Sequence, residues 1–226
     1  MKKDFIALCL CLFLISPLAY GFEKIDMKLD KKILEAGKTQ YTVYEYKTEG
    51  KGVRKRGISV ILVDAPPDEV WAYICDYNGM REYVPYIDRY ETVQWIRPIA
   101  DGEVGESLVN VMTDLPVFKS KWCIHVIFDG TNKYQNWVII KKPEAEEYIK
   151  KGINVIPPSF GIKDVNGCQY VEPYEDGKKT LLYYASSAES FVPVPRFLQN
   201  LIMKAALNDF LVSIKKRVES NGTYKK

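Results

Sequence analysis

The sequence predicts an α+β fold, a meander of antiparallel strands followed by one long C-terminal helix. Three observations predict it. From Tyr90 to Ile140, strand-like segments follow one another across short turns, the spacing that hairpins give and parallel crossovers do not. A further pair, Cys168 to Val171 and Thr180 to Ala188, flanks the turn Asp176-Gly177. Pro193 and Pro195 then introduce Arg196 to Val218, a stretch apolar around most of its circumference, which needs partners on more than one side.

Met1 to Gly21 reads as a secretory signal. Lys2 and Lys3 supply its positive end, Phe5 to Ile15 is apolar throughout, Ser16-Pro17 breaks the run, and Ala19 and Gly21 are the small residues a signal peptidase reads. The apolar run is short for a bilayer span. The mature chain is therefore expected to begin at Phe22 and to be exported, periplasmic or secreted. Loss of Lys2, Lys3 and Asp4 takes the formal charge from +3 to +2. That balance, with no lysine-rich place free of nearby acids, argues against nucleic acid as a partner.

Residues 22–52 read as a polar N-terminal extension, with a short helix at Lys31 to Ala36 and a strand at Tyr41 to Tyr46. No role is legible for it. Ile58 to Val63 is a β-branched and aliphatic strand, stopped by Asp64-Ala65-Pro66-Pro67 because proline has no N–H for a ladder. Pro67 suits a first helical position, Asp68 and Glu69 favour the first turn, and Val70, Trp71, Ile74 and Tyr77 recur at helical spacing. Asn78-Gly79 is expected to close this helix with a left-handed cap, and a second short helix, Met80 to Tyr83, to run into Val84-Pro85.

Alternation sorts the meander into faces. In Lys119 to Phe128, Trp122, Ile124, Val126 and Phe128 share the inward face, and Lys119, Lys121, Cys123 and His125 the outer one. In Thr180 to Ala188, Leu182, Tyr184, Ser186 and Ala188 share a face and shrink along the strand, which leaves room for another group. Pro143 to Lys151 reads as a solvated helix, acidic at its start and basic at its end. A sharper expectation makes this helix and the loop Ile153 to Phe160 a lid over a cavity mouth.

Strand, Asp-Ala-Pro turn, helix with Val70-Trp71, Asp76-Tyr77, short helix and the Tyr83-Val84-Pro85 exit resemble the opening of START-like domains, the StAR-related lipid-transfer superfamily. G-x-Q-x-V-x-P (Gly167 to Pro173), G-K-K-T-L-L-Y-Y (Gly177 to Tyr184) and a proline-introduced long helix resemble the end of such a domain. The resemblance is closest to the polyketide cyclase/dehydrase and coenzyme Q-binding branch. It places a START-like domain at 53–219 and a tail at 220–226. It implies a helix-grip fold, in which a curved antiparallel sheet wraps around the long C-terminal helix, two short helices follow the first core strand, and an apolar cavity lies between sheet and helix. The family usually carries an aromatic residue where this chain has Gln169.

The expected cavity lining is Trp122, Ile124, Val126, Trp137, Leu182 and Tyr184 from the strands and Met203, Leu207 and Phe210 from the helix. Its expected occupant is a hydrophobic small molecule or lipid, with transient membrane contact as a further partner. The sequence carries no signature of oligomeric state. No catalytic residue, metal ligand or cofactor site is assigned. His125 is the single histidine, and no nucleophile motif or C-x-x-C accompanies it. Asp76, Arg81, Tyr83, Tyr86 and Asp88 read as surface hydrogen-bonding groups; carbonyl polarisation by them, in a cyclase or dehydratase, is the alternative. A structural module with a closed interior is another. Cys75, Cys123 and Cys168 sit in apolar patterns and read as buried free thiols.

Overall fold

Hairpin pairing dictates the order of the strands. The computed structural model describes residues 24–48, 52–99, 104–115, 118–159, 161–191 and 195–226. Its strands are β1 (Gln40–Thr48), β2 (Gly52–Val63), β3 (Ile87–Arg97), β4 (Val104–Leu115), β5 (Phe118–Asp129), β6 (Tyr134–Ile139), β7 (Ile162–Tyr174) and β8 (Lys179–Ser190). They form one sheet of eight, ordered β1-β2-β8-β7-β6-β5-β4-β3 and antiparallel throughout. The helices are α1 (Lys31–Glu35), α2 (Pro67–Cys75), α3 (Tyr77–Met80), α4 (Lys142–Lys150) and α5 (Arg196–Glu219). The curved sheet grips α5, which packs on β2 and β8.

The start of α2 follows expectation, with Pro67 at its first turn beside Asp68 and Glu69. Its end does not. The helix stops at Cys75; Asp76 turns out of it, and its carboxylate accepts the Gly79 N–H at 3.1 Å to begin α3 at Tyr77, not at Met80. A Cβ on Gly79 would lie 2.2 Å from Asp76 Oδ2. Close approach of a capping carboxylate, and not a left-handed cap, is what requires glycine there.

The back of the sheet, turned away from α5, is covered twice. Even-numbered residues of β2 face it, and Ile58, Val60 and Leu62 bury Ile25 and Leu34 of the N-terminal segment among Tyr170, Leu181 and Tyr183. The Gln40 side chain clamps this segment, donating to Lys28 O at 2.6 Å and accepting from the Asp30 N–H at 2.8 Å. Asp30 in turn caps α1 by accepting from Lys32 and Ile33. Because Ile61 and Val63 point the other way into the main core, β2 is apolar on both faces, and this explains its unbroken aliphatic run.

α4 covers the back of the other half. Ala145 and Val155 pack on Leu108, Cys123 and Ile140, all on the face opposite α5. Asn110 holds the following loop by donating to Asn154 O and accepting from Ile156 N–H, both at 2.8 Å. The lid expectation is thereby corrected: the parity of Leu108 and Cys123 draws α4 and residues 153–156 behind the sheet, on the face opposite α5, while Phe160 lies outside the described residues. The charged side chains of α4 are solvated, as expected, with Ala145 alone buried.

The C-terminal tail is also docked, its Lys226 ammonium donating to Val84 O at 3.0 Å and Ile87 O at 2.8 Å. At the end of the sheet where α5 begins, Asp164 accepts from Arg54 and Lys141, and Glu189 pairs with Arg54 and Lys163. Burial alone would raise the Asp164 pKa, but the hydrogen bonds from Lys141 and Arg54 outweigh it and hold it below the ordinary value.

Replacing Leu34 by Ala should lower unfolding free energy by about 2–4 kcal/mol, read from urea denaturation, because its cluster cannot collapse across a rigid sheet; a change within error would mean that the N-terminal segment is not held there. A carboxylate with a depressed folded pKa adds stability above its unfolded pKa, near ~3.9, and loses it as pH falls. The stability difference between the native chain and Asp164→Asn should therefore shrink as pH is lowered from about 5 to about 2.

Candidate functional site

Cross-strand register assembles the inner face. One row runs Gly57, Ser186, Gly167, Trp137, Val126, Ser107 and Trp95; the next runs Ser59, Tyr184, Gln169, Gln135 and Phe128. In the first row the indole of Trp137 lies in the place that a side chain on Gly167 would take, where a Cβ would stand 2.3 Å from Cζ2. Tyr184 stacks between Trp137, at 5.3 Å and 24°, and Phe210 of α5, at 4.3 Å and 16° between rings.

The shrinking series Leu182, Tyr184, Ser186, Ala188 thus does make room, but Trp137 from two strands away fills it. Under Tyr184 two of the chain's own rings, Trp137 and Phe210, therefore stand where open space was expected to begin. Of the residues expected to line a cavity, Ile124, Val126, Trp137, Leu182 and Phe210 are buried together in the main core, with Trp122 and Tyr184 partly buried against it. Leu207 is buried, its Cδ1 3.2 Å from where a Cβ on Gly57 would stand. Met203 lies farther out and is only partly buried.

Along α5 the contrast is sharp. Leu207, Phe210, Leu211, Ile214 and Val218 are buried, whereas no side chain from Gln199 to Ala206 is. Leu201, Ile202, Met203, Ala205 and Ala206 therefore overhang the sheet, and Phe191 at the end of β8 is 68% exposed. The indole Nε1 of Trp122, on the inner face at the same end of the sheet, is out of solvent and has no hydrogen-bond partner among the described residues.

A polar group lies deeper. With α2 ending at Cys75, the Ile74 carbonyl lacks a helical partner, and two glutamines on neighbouring strands supply donors. Gln135 Nε2 reaches it at 3.0 Å and Gln169 Nε2 at 3.3 Å. The Tyr77 hydroxyl donates to Gln135 Oε1 at 2.6 Å, and its ring meets that of Tyr90 edge-on at 4.8 Å. Burial pushes the phenols of Tyr77, Tyr90 and Tyr184 up, so all three stay neutral hydrogen-bonding groups. Sequence reading missed this group. Its one available signal was glutamine at inward parity in two adjacent strands; the family departure at Gln169 is explained by its cap on α2.

The other titratable groups do not converge. His125 pairs with Glu106 at 3.2 Å on the outer face. Arg81, Tyr86 and Asp88 are exposed, Asp76 is spent on Gly79, and Tyr83 is buried beneath the Arg217 guanidinium. Cys123 is buried, which pushes its thiol up to about 12. Burial also pushes the Cys75 thiol up, and Cys168 lies 3.9 Å from the Arg56 guanidinium on the back of the sheet. Among the described residues no group of three or more His, Cys, Asp or Glu is placed to hold a metal ion.

No family model matches the chain, and no curated protein does. Solved structures do. A START superfamily protein from Mycobacterium smegmatis is 11% identical, with 74% of this chain and 98% of that one covered and a TM-score of 0.56. A STAR-related lipid transfer protein from Xanthomonas axonopodis is 16% identical, with 79% and 93% covered and a TM-score of 0.53. The Zhui aromatase/cyclase from a Streptomyces species is 13% identical, with 82% and 99% covered and a TM-score of 0.52. The chain has a START-like fold. In this START-like fold α5 is buried at Leu207, Phe210, Leu211, Ile214 and Val218 and unburied from Gln199 to Ala206.

Replacing Gly167 by Ala puts a methyl group into both the Trp137 ring and the Ala185 carbonyl, 2.4 Å away. The variant should lose about 1–3 kcal/mol of stability and shift its tryptophan emission, since Trp137 must leave the stack; unchanged emission would contradict the packing described.

Proposed function

We propose that this START-like domain is an exported binding or transfer protein for a hydrophobic small molecule or lipid, held on the α5 side of the sheet. The observation that carries the reading is the first half of α5, where five apolar residues from Leu201 to Ala206 stay unburied while Trp122 on the sheet keeps an N–H without a partner among the described residues. Fold neighbours include a protein named for lipid transfer, and an aromatase/cyclase. An apolar ligand gains about 25 cal/mol for each Å² it removes from water, so a site of this kind binds with few polar contacts. The Trp137–Tyr184–Phe210 stack would be its floor. The exposed Phe191 and Leu201 beside it suit passing contact with a membrane during loading.

Met1 to Gly21, outside the described residues, would be the export signal, and the mature chain would start at Phe22. The test is native mass spectrometry of the mature protein purified from the periplasmic fraction of an expressing bacterium. A retained lipid mass that disappears in Met203→Arg supports the reading; ligand-free protein in every preparation, with no uptake from lipid vesicles, overturns it.

A further inference from the structure

The interior beside the aromatic stack holds hydrogen-bonding capacity that the chain does not use. Gln169 is 1% exposed, and while its Nε2 caps Ile74, its Oε1 has no partner among the described residues. The amide cannot be turned over to cure this, because Oε1 would then face the Ile74 carbonyl, acceptor against acceptor. A buried acceptor left unpaired is costly, so native structures rarely keep one without an occupant nearby.

Two phenols lie close by. Tyr184 is the direct cross-strand neighbour of Gln169, and Gln135 is its neighbour on the other side. Tyr77 is committed to Gln135, but the hydroxyls of Tyr90 and Tyr184 make no hydrogen bond to another described residue. Tyr77 connects the two sides of the group, touching the Tyr90 ring and bonding to Gln135.

We infer that Gln169 Oε1 and the Tyr90 and Tyr184 hydroxyls form a subsite for a hydroxyl group on the ligand. This rests on the binding function proposed above and names the class of ligand: a ring or chain that is apolar except for an alcohol or phenol. The stoichiometry of donors selects it. Gln169 Oε1 can only accept, so its partner must carry a hydrogen; the two phenols can donate or accept, so a partner that does both can meet all three groups. A hydroxyl does both. A ketone, quinone or ether accepts only and leaves Gln169 unpaired, and a hydrocarbon leaves all three unpaired.

The test compares naphthol, its methyl ether and naphthalene, measured by quenching of tryptophan emission in the mature protein, with Tyr90→Phe, Tyr184→Phe and the double variant. Phenylalanine keeps the rings of the stack and removes only the hydroxyls. Naphthol should bind the native protein about tenfold more tightly than either analogue, each single variant should lose part of that preference, and the double variant should keep only the share that Gln169 supplies, about twofold, with naphthalene unchanged. Equal binding of naphthol and naphthalene by the native protein, or a preference undiminished in the double variant, overturns the subsite and leaves the binding function standing. If none of the three binds, the subsite falls, and the binding function is decided by the retained lipid mass alone.

Discussion

The seating of the Trp137 indole against Gly167 is the contact on which the rest of the interior depends. Because residue 167 has no side chain, an indole from β6 lies flat over β7, and Tyr184 of β8 and Phe210 of α5 stack on it in turn. Three strands and the helix are joined through one column of rings, each contact contributing roughly 0.5–1.5 kcal/mol beyond the area it buries. The column also sets where α5 is held. From Leu207 onward the helix is packed, and before Leu207 it is not.

Covering the back of the sheet has a consequence for function. Antiparallel sheets commonly leave one face to water, and this one is buried behind by the N-terminal segment on β2, β7 and β8 and by α4 on β4 and β5. The N-terminal cover reaches α5 near its end, where a Cβ on Gly37 would stand 3.9 Å from Lys215 Cε. With the back covered in this way, the unburied apolar residues of α5, from Leu201 to Ala206, are left on the other side of the sheet.

The two glutamines show how a structural demand and a chemical opportunity arise together. An early end to α2 leaves the Ile74 carbonyl without a partner, and Gln135 and Gln169 supply donors. Each amide has a carbonyl oxygen as well as an NH2. Gln135 passes its oxygen to Tyr77. Gln169 has no such neighbour, so a cap for a helix leaves an acceptor facing the interior.

Most of the architecture could be read from the chain, since strand and helix boundaries depend on local chemistry: Pro67 starts α2, Asp176-Gly177 turns β7 into β8, and Pro195 precedes α5. Parity correctly put Trp122, Ile124 and Val126 inside and His125 outside, because alternation along a strand is a geometric certainty once the strand exists. What it could not supply was which face each cover would choose, or what fills a gap. That α4 lies behind Leu108 and Cys123, that Trp137 takes the space over Gly167, and that Asp76 ends the helix ahead of Asn78-Gly79 are all decided by residues far apart in sequence or by a carboxylate turning back on a glycine. The sequence by itself determined the elements and their inward sides; only the tertiary structure decided which inward side chains meet, because that depends on shape across strands, and one-dimensional pattern carries no record of shape.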